Sequence, residues 1–300
     1  MLSNFQLLFD FPVLNIELLL NGLMIGGIFA LAAYGLALVW GVMNVKNLAQ
    51  GDFVIMGGYI AFVVYKELGI NPLWALPVAG IVMFGFGWLL YGLVIRWVIG
   101  RDLFTSLLAT FGMAIVIQQL LNLIFGPDVQ TADSGLGTQL FLDSVPVQEI
   151  RVLSLAIAGI LALMVILFMK NSRMGQAIRA TAQDPRAAKI MGIDTDRVYA
   201  FTYSLNAAIC GVAGVLISMI WVIQPFYGIG HSIRSFVIVV AAGLGNLPGV
   251  IISALGLGAL EQYGGFGFGT EFQQAIVVGL LILVLIVRQI MQARHRQVVQ

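Results

Sequence analysis

The stretch IELLLNGLMIGGIFALAAYGLALVWG (residues 16–41) carries a single charge, Glu17, in 26 positions. A helix rises about 1.5 Å per residue, so roughly 20 apolar residues cross the hydrocarbon core of a bilayer. The run is long enough to do so, and it is built from Leu, Ala, Gly and Met. A barrel strand would instead need about 10 residues of alternating character. The stretch therefore predicts a transmembrane helix. Similar runs recur at 48–65, 73–95, 104–125, 152–169, 198–223, 233–247, 249–263 and 272–288. Together they predict an all-α polytopic membrane protein: a helical bundle of about 8–9 transmembrane helices, one domain over residues 1–300.

Composition agrees. Hydrophobic residues make up 60% of the chain, charged ones only 10%, and mean hydropathy is +0.99. A soluble domain carries about 25% charged residues. Fifteen basic and 14 acidic side chains cannot coat a globule of this size, so the surplus apolar surface faces lipid. The net charge of +1 excludes a basic face for nucleic acid. Cys210 is the sole cysteine and sits in an apolar run as a small hydrophobe. His231 and His295 lie far apart and suggest no metal site.

Basic residues set the orientation, because cytoplasmic loops collect Lys and Arg. An outside N-terminus places Lys46, Arg96, Arg101, Lys170 to Arg197, and the tail Arg288, Arg294 and Arg296 on the cytoplasmic side. Lys66, Arg151 and Arg234 are left outside. The loop 126–150 holds Asp128, Asp133, Asp143 and Glu149 with no basic residue before Arg151, as an external loop should. Residues 233–263 read either as one kinked helix or as two broken at GLGNLPG (residues 243–249). Charge favours two, giving nine crossings with the tail inside. No basic residue precedes Lys46, so the first segment does not read as a cleavable signal.

Several chemistries are missing. There is no G-x-x-x-x-G-K-[ST] to cradle ATP phosphates, no H-E-x-x-H and no G-x-S-x-G, so no catalytic residue is assigned. Carriers driven by ions embed several ionisable groups. Here only Asp52 and Glu261 qualify.

The segment KNSRMGQAIRATAQDPRAAKIMGIDTDR (residues 170–197) is far longer than a tight turn. Ala177, Ile178, Ala180 and Ala182 offer a short apolar face, followed by Gln183. Asp184 is a natural N-cap, and Pro185 suits the first helical position. Arg186 leads into Ala187, Ala188, Ile190 and Met191, and Gly192 is a natural terminator. A helix of about eight residues results, roughly 12 Å long. Alone in water it is marginal. It is held either by the membrane surface, through its basic residues, or by a partner protein.

Four stretches carry a resemblance: residues 21–62, 171–198, 195–216 and 239–261. In that order along the chain they are similar to the branched-chain amino acid permeases of ABC importers. The resemblance implies a type II ABC importer permease-like fold, multi-pass in a bacterial inner membrane. It also implies a second permease chain, two cytoplasmic ATPase subunits that bind the ATP, and a periplasmic substrate-binding protein. No cofactor is bound by the chain itself. Residues 182–188 (Ala182, Gln183, Asp184, Pro185, Arg186, Ala187, Ala188) and Gly192 would then couple to the ATPase. Loop 126–150 and the loop Gln224 to Arg234 are candidates for docking the binding protein.

Pathway candidates follow from interrupted spans, since irregular backbone at membrane depth is tolerated where it lines a cavity. Asn44, Asn47, Gln50 and Asp52 cluster at the first interruption, with Asp52 also readable as an N-cap. Residues 243–249 form the second. Gln118 and Asn206 are mid-span amides, residues that usually bond neighbouring helices. Glu261 either pairs with a cation or faces water at the outer mouth. Nothing in the residues separates a branched-chain amino acid from urea or a short-chain amide. A stand-alone channel or ion-coupled carrier is the competing class, disfavoured by the long cytoplasmic segment.

Overall fold

The computed structural model describes residues 7–8, 11–141, 145–243 and 245–297. Asp143 and Leu244 lie outside the described residues, as do the side chains of Arg288, Arg294 and Arg296. In chain order the helices are α1 (Pro12–Met43), α2 (Gln50–Lys66), α3 (Pro72–Val98), α4 (Leu103–Phe125), α5 (Glu149–Asn171), α6 (Arg173–Gln183), α7 (Pro185–Ile190), α8 (Thr195–Ile220), α9 (Gly228–Ala242), α10 (Leu247–Phe268) and α11 (Gln273–Gln297). A hairpin of β1 (Thr138–Phe141) and β2 (Val145–Gln148) lies between α4 and α5. The sequence reading of loop 126–150 did not anticipate it.

Seven spans are long and apolar enough to cross a membrane: α1, α3, α4, α5, α8, α9 together with the turn before it (Pro225–Ala242), and α11 with the turn before it (Thr270–Val287). Helix α2 stops at 17 residues, and α10 is diluted by glycines, Glu261 and Gln262. Both nevertheless pack inside the same bundle. That makes nine long helices among the described residues. α1 and α8 form its centre, with 94% and 83% of their apolar windows buried, whereas α11 at 6% stands at the margin.

Packing fixes the direction of each helix. Gly22 of α1 meets Ala259 of α10, and Gly26 meets Ala254 and Leu255, so these two run antiparallel. Arg234 of α9 reaches Glu261 of α10 across 27 residues, which closes α9 and α10 into a hairpin. The break therefore falls between two helices, with Leu247 already opening α10, and is not a kink in one. Gly243 and Gly245 hold φ of 91° and 80° there, and Asn246 caps α10 by accepting from the Gly249 N–H at 3.1 Å. At the end holding Lys46, Tyr91 donates to Asp196 at 2.5 Å, joining α3 to the start of α8. At the other end Asn71 donates to the Ser134 carbonyl, and Gln130 pairs with Ile223. The helices thus alternate, and α6 and α7 fall at the end the basic residues mark as cytoplasmic.

The halves of the bundle repeat in reverse. α1 packs on α10 and α9, as α8 packs on α3 and α2. α1 and α8 are opposite in direction, so the two sets are inverted copies. Glycine allows these contacts: a Cβ on Gly57 of α2 would lie 2.5 Å from the Gly211 Cα of α8. In lipid such close approach is what holds helices together.

Candidate functional site

The cytoplasmic segment folds as two short helices. Ser172 caps α6 by accepting from the Gly175 N–H at 2.8 Å. Ile178 and Thr181 bury one face of α6 against the bundle, where it packs on α5, α1 and α8. Asp184 then caps α7: its Oδ1 accepts from the N–H groups of Arg186 at 2.8 Å and Ala187 at 3.0 Å. Gly192 ends the helix at φ 84°, a left-handed conformation that disfavours other residues. The expected start and stop both hold, although α7 spans six residues rather than eight. Ala182, Gln183, Pro185, Arg186 and Ala187 are exposed, and Ala188 alone is buried. Ile190 and Met191 are 84% and 80% exposed, an apolar pair that nothing in the described chain covers.

The first interruption proves deeper than its sequence indicated. Asn44, left-handed at φ 54°, ends α1 and stays exposed. The chain then turns back into the bundle, bonded to α4: Lys46 N–H donates to Ser106 Oγ, and Leu48 N–H to Thr110 Oγ1. α2 begins beside mid-α1, where Gln50 Nε2 donates to the Ala32 carbonyl at 2.7 Å. Gln50 and Asn206 exchange bonds, 2.9 Å and 3.1 Å, and Asn47 adds a longer one to Gln50 at 3.4 Å. These three amides are brought together, fully buried, where α2 packs on α8.

Asp52 is not the cap. Ala49 occupies that position, and the Asp52 carboxylate accepts from Gln118 Nε2 at 2.9 Å instead. The counterpart of this interruption is not 243–249, which lies at the bundle surface. It is the connection 221–227, which re-enters from the opposite end. Gly51 N–H donates to Ser232 Oγ at 2.8 Å, and Ser232 Oγ donates to the Leu48 carbonyl at 2.7 Å, so the starts of α2 and α9 meet inside the bundle. Accordingly, residues 228–234 of the supposed external loop are the first two turns of α9.

Glu261 pairs with a cation, as one of its two readings required. Its Oε1 accepts from Arg234 Nε at 2.7 Å, and Arg234 stacks over Phe29 at 5.3 Å. Arg234 is therefore a membrane-depth residue, not a loop residue. The pair borders a cavity of about 290 Å³ that also touches Ile25, Trp221 and Val222.

A model of the family described as "branched-chain amino acid transport system / permease component" matches residues 18–285. The chain belongs to this permease family. LivH of Salmonella typhimurium, a high-affinity branched-chain amino acid transport system permease protein, is 32% identical over 91% of this chain and 93% of its own length. LivM, another high-affinity branched-chain amino acid transport system permease protein of the same organism, is 25% identical over 87% of this chain and 66% of its own. Among solved structures, PsaBC from Streptococcus pneumoniae in complex with Fab superposes with a TM-score of 0.50, covering 95% of each chain at 13% identity. That last likeness is one of fold alone.

Within this permease, the amide cluster is a structural joint first. Removing one partner strands buried groups on the other. Gln50→Ala and Asn206→Ala should each lower the melting temperature of the purified permease. The double variant should lose less than the sum, with a coupling of about 0.6–1.7 kcal/mol. A purely additive double variant would remove the joint. Sequence reasoning missed Ser232 and Trp221 and placed Arg234 in a loop; the usable signal for Arg234 was its single positive charge inside an apolar run.

Proposed function

We propose that this permease is one transmembrane subunit of an ATP-driven importer for branched-chain amino acids in a bacterial inner membrane. A second permease chain completes the passage, a reading supported by the presence of both LivH and LivM permease proteins in one organism. Two ATPase subunits bind and hydrolyse the nucleotide beneath it, and a periplasmic binding protein delivers substrate from above.

The observation that carries this reading is α7. It is capped at both ends, seated on the bundle through α6, and turned outward with Ile190 and Met191 bare. A helix this short is marginal alone in water, and an ATPase groove that covers Ile190 and Met191 would hold it. An ATPase groove closing on α7 would push on α6, which packs on α1, α5 and α8. Because α1 and α8 head the two inverted halves, force delivered there rocks one half against the other. The amide joint and the glycine contacts let the halves move as packed units.

Proteoliposomes holding the complete assembly should take up leucine only with ATP inside and binding protein outside. The permease without ATPases should be inert. Leucine uptake by the permease alone would contradict the proposal and favour a stand-alone carrier.

A further inference from the structure

Glu261 is a buried charge and Arg234 a partly buried one within the membrane bundle, and coupling through α7 uses neither. A charged residue at that depth is costly and usually functional. Glu261 is 4% exposed, yet only its Oε1 is engaged, by Arg234 Nε; among the described residues Oε2 has no bond. Among the described residues Arg234 likewise donates through Nε alone, which leaves both terminal nitrogens of its fork available there. Both charges border the cavity of about 290 Å³, close to the lower end of small-molecule sites. The rest of its lining is mixed: Ile25, Phe29, Trp221 and Val222 form an apolar wall, while His231, Gln262 and Gln273 add uncharged polar groups. Val222 is 50% exposed and stands at the rim, so the cavity is open. Trp221 stacks on Phe29 at 5.9 Å, which gives the apolar wall a fixed shape.

We propose that this cavity binds the zwitterion of an aliphatic amino acid: carboxylate on the Arg234 guanidinium, ammonium on Glu261 Oε2, side chain against Phe29 and Trp221. The site deepens the transport reading and rests on it. Adjacent opposite charges select the ligand. A lone anion on Arg234 meets the Glu261 carboxylate, and a lone cation on Glu261 meets the guanidinium. A zwitterion presents both signs in the matching order, and planar guanidinium suits a carboxylate bidentately. An uncharged amide forgoes both charge-assisted bonds. The location, where the re-entrant connection enters from the outer end, is where substrate handed over from outside first meets the bundle.

The test uses the complete assembly of two permeases and two ATPases in nanodiscs, without binding protein. Radiolabelled leucine is competed by leucinamide, which lacks the carboxylate, by 4-methylpentanoate, which lacks the ammonium, and by urea. Each loses a charge-assisted bond, so each should compete at least about tenfold more weakly than leucine. In Arg234→Gln/Glu261→Gln, which leaves no unpaired charge, leucine affinity should fall to that of the analogues. Absence of saturable leucine binding to the wild type, equal competition by all four compounds, or wild-type leucine affinity in the double variant each overturns the site. ATP-driven leucine uptake by the same wild-type assembly in proteoliposomes, with its binding protein, separates the two proposals. Uptake intact beside any of those outcomes sinks the site alone, and uptake absent sinks the transport reading together with it.

Discussion

ATP-driven uptake will fall at least roughly thirtyfold in Asp184→Ala/Gly192→Val and survive in Asp184→Asn/Gly192→Asn. The first pair destroys both ends of α7. Alanine cannot accept from the Arg186 and Ala187 N–H groups, a loss of about 1 kcal/mol. Valine is forced into the left-handed conformation that Gly192 occupies, costing about 1–3 kcal/mol. The two sites flank one short helix, and their sum is about 2 kcal/mol or more, which is about thirtyfold in the population of the docking-competent form. Asparagine caps nearly as well as aspartate and tolerates left-handed backbone. The rescue pair therefore keeps the helix while changing both residues. Uptake per inserted permease, measured side by side in proteoliposomes, is the readout. Equal activity in the two double variants would mean that α7 need not be a helix.

Gly57→Leu will prevent recovery of folded permease, whereas Gly159→Leu will not. At Gly57 an added Cβ meets the Gly211 Cα at 2.5 Å, and backbone cannot step aside as a side-chain tip can. Relief requires α2 and α8 to separate, breaking the contact that carries Gly58 and Gly214 and loosening the Gln50–Asn206 joint. Overpacking a core costs about 1–3 kcal/mol, occasionally more; leucine in backbone contact belongs at the upper end. Gly159 of α5 is exposed with nothing within 4 Å of its Cβ position. Monodisperse protein recovered in detergent should be near wild type for Gly159→Leu and nearly absent for Gly57→Leu. Similar recovery of both would show that α2 and α8 are not held by glycine contact.

What could be read from residues alone was what is local. Residues 16–41 announce α1 by length and composition. Asp184, Pro185 and Gly192 announce α7 because capping needs only a few adjacent positions. The break at 243–249 announces itself through Gly, Asn and Pro. Depth in the bundle is not local. Residues 221–227 read as the end of one span and the start of an external loop, and only the meeting of Gly51 with Ser232 shows that the helix after them starts inside the bundle. Asp52 looked like a cap because it opens a helix, yet the segment before it folds inward and leaves Ala49 at the cap. Glu261 could be read as either paired or open; its partner lies 27 residues away across a hairpin, beyond any periodic signal.

Cys210 is buried, so a cysteine placed at Met191 gives the permease one accessible thiol. Cross-linking Met191→Cys to a thiol in the ATPase groove, in membranes containing the whole assembly, addresses the coupling claim head-on. A cross-linked permease–ATPase species whose yield changes when ATP is added is the expected result. If the same cysteine forms no such species and is instead labelled from outside intact cells by a membrane-impermeant thiol reagent, α7 faces the wrong side and cannot transmit the work of ATP.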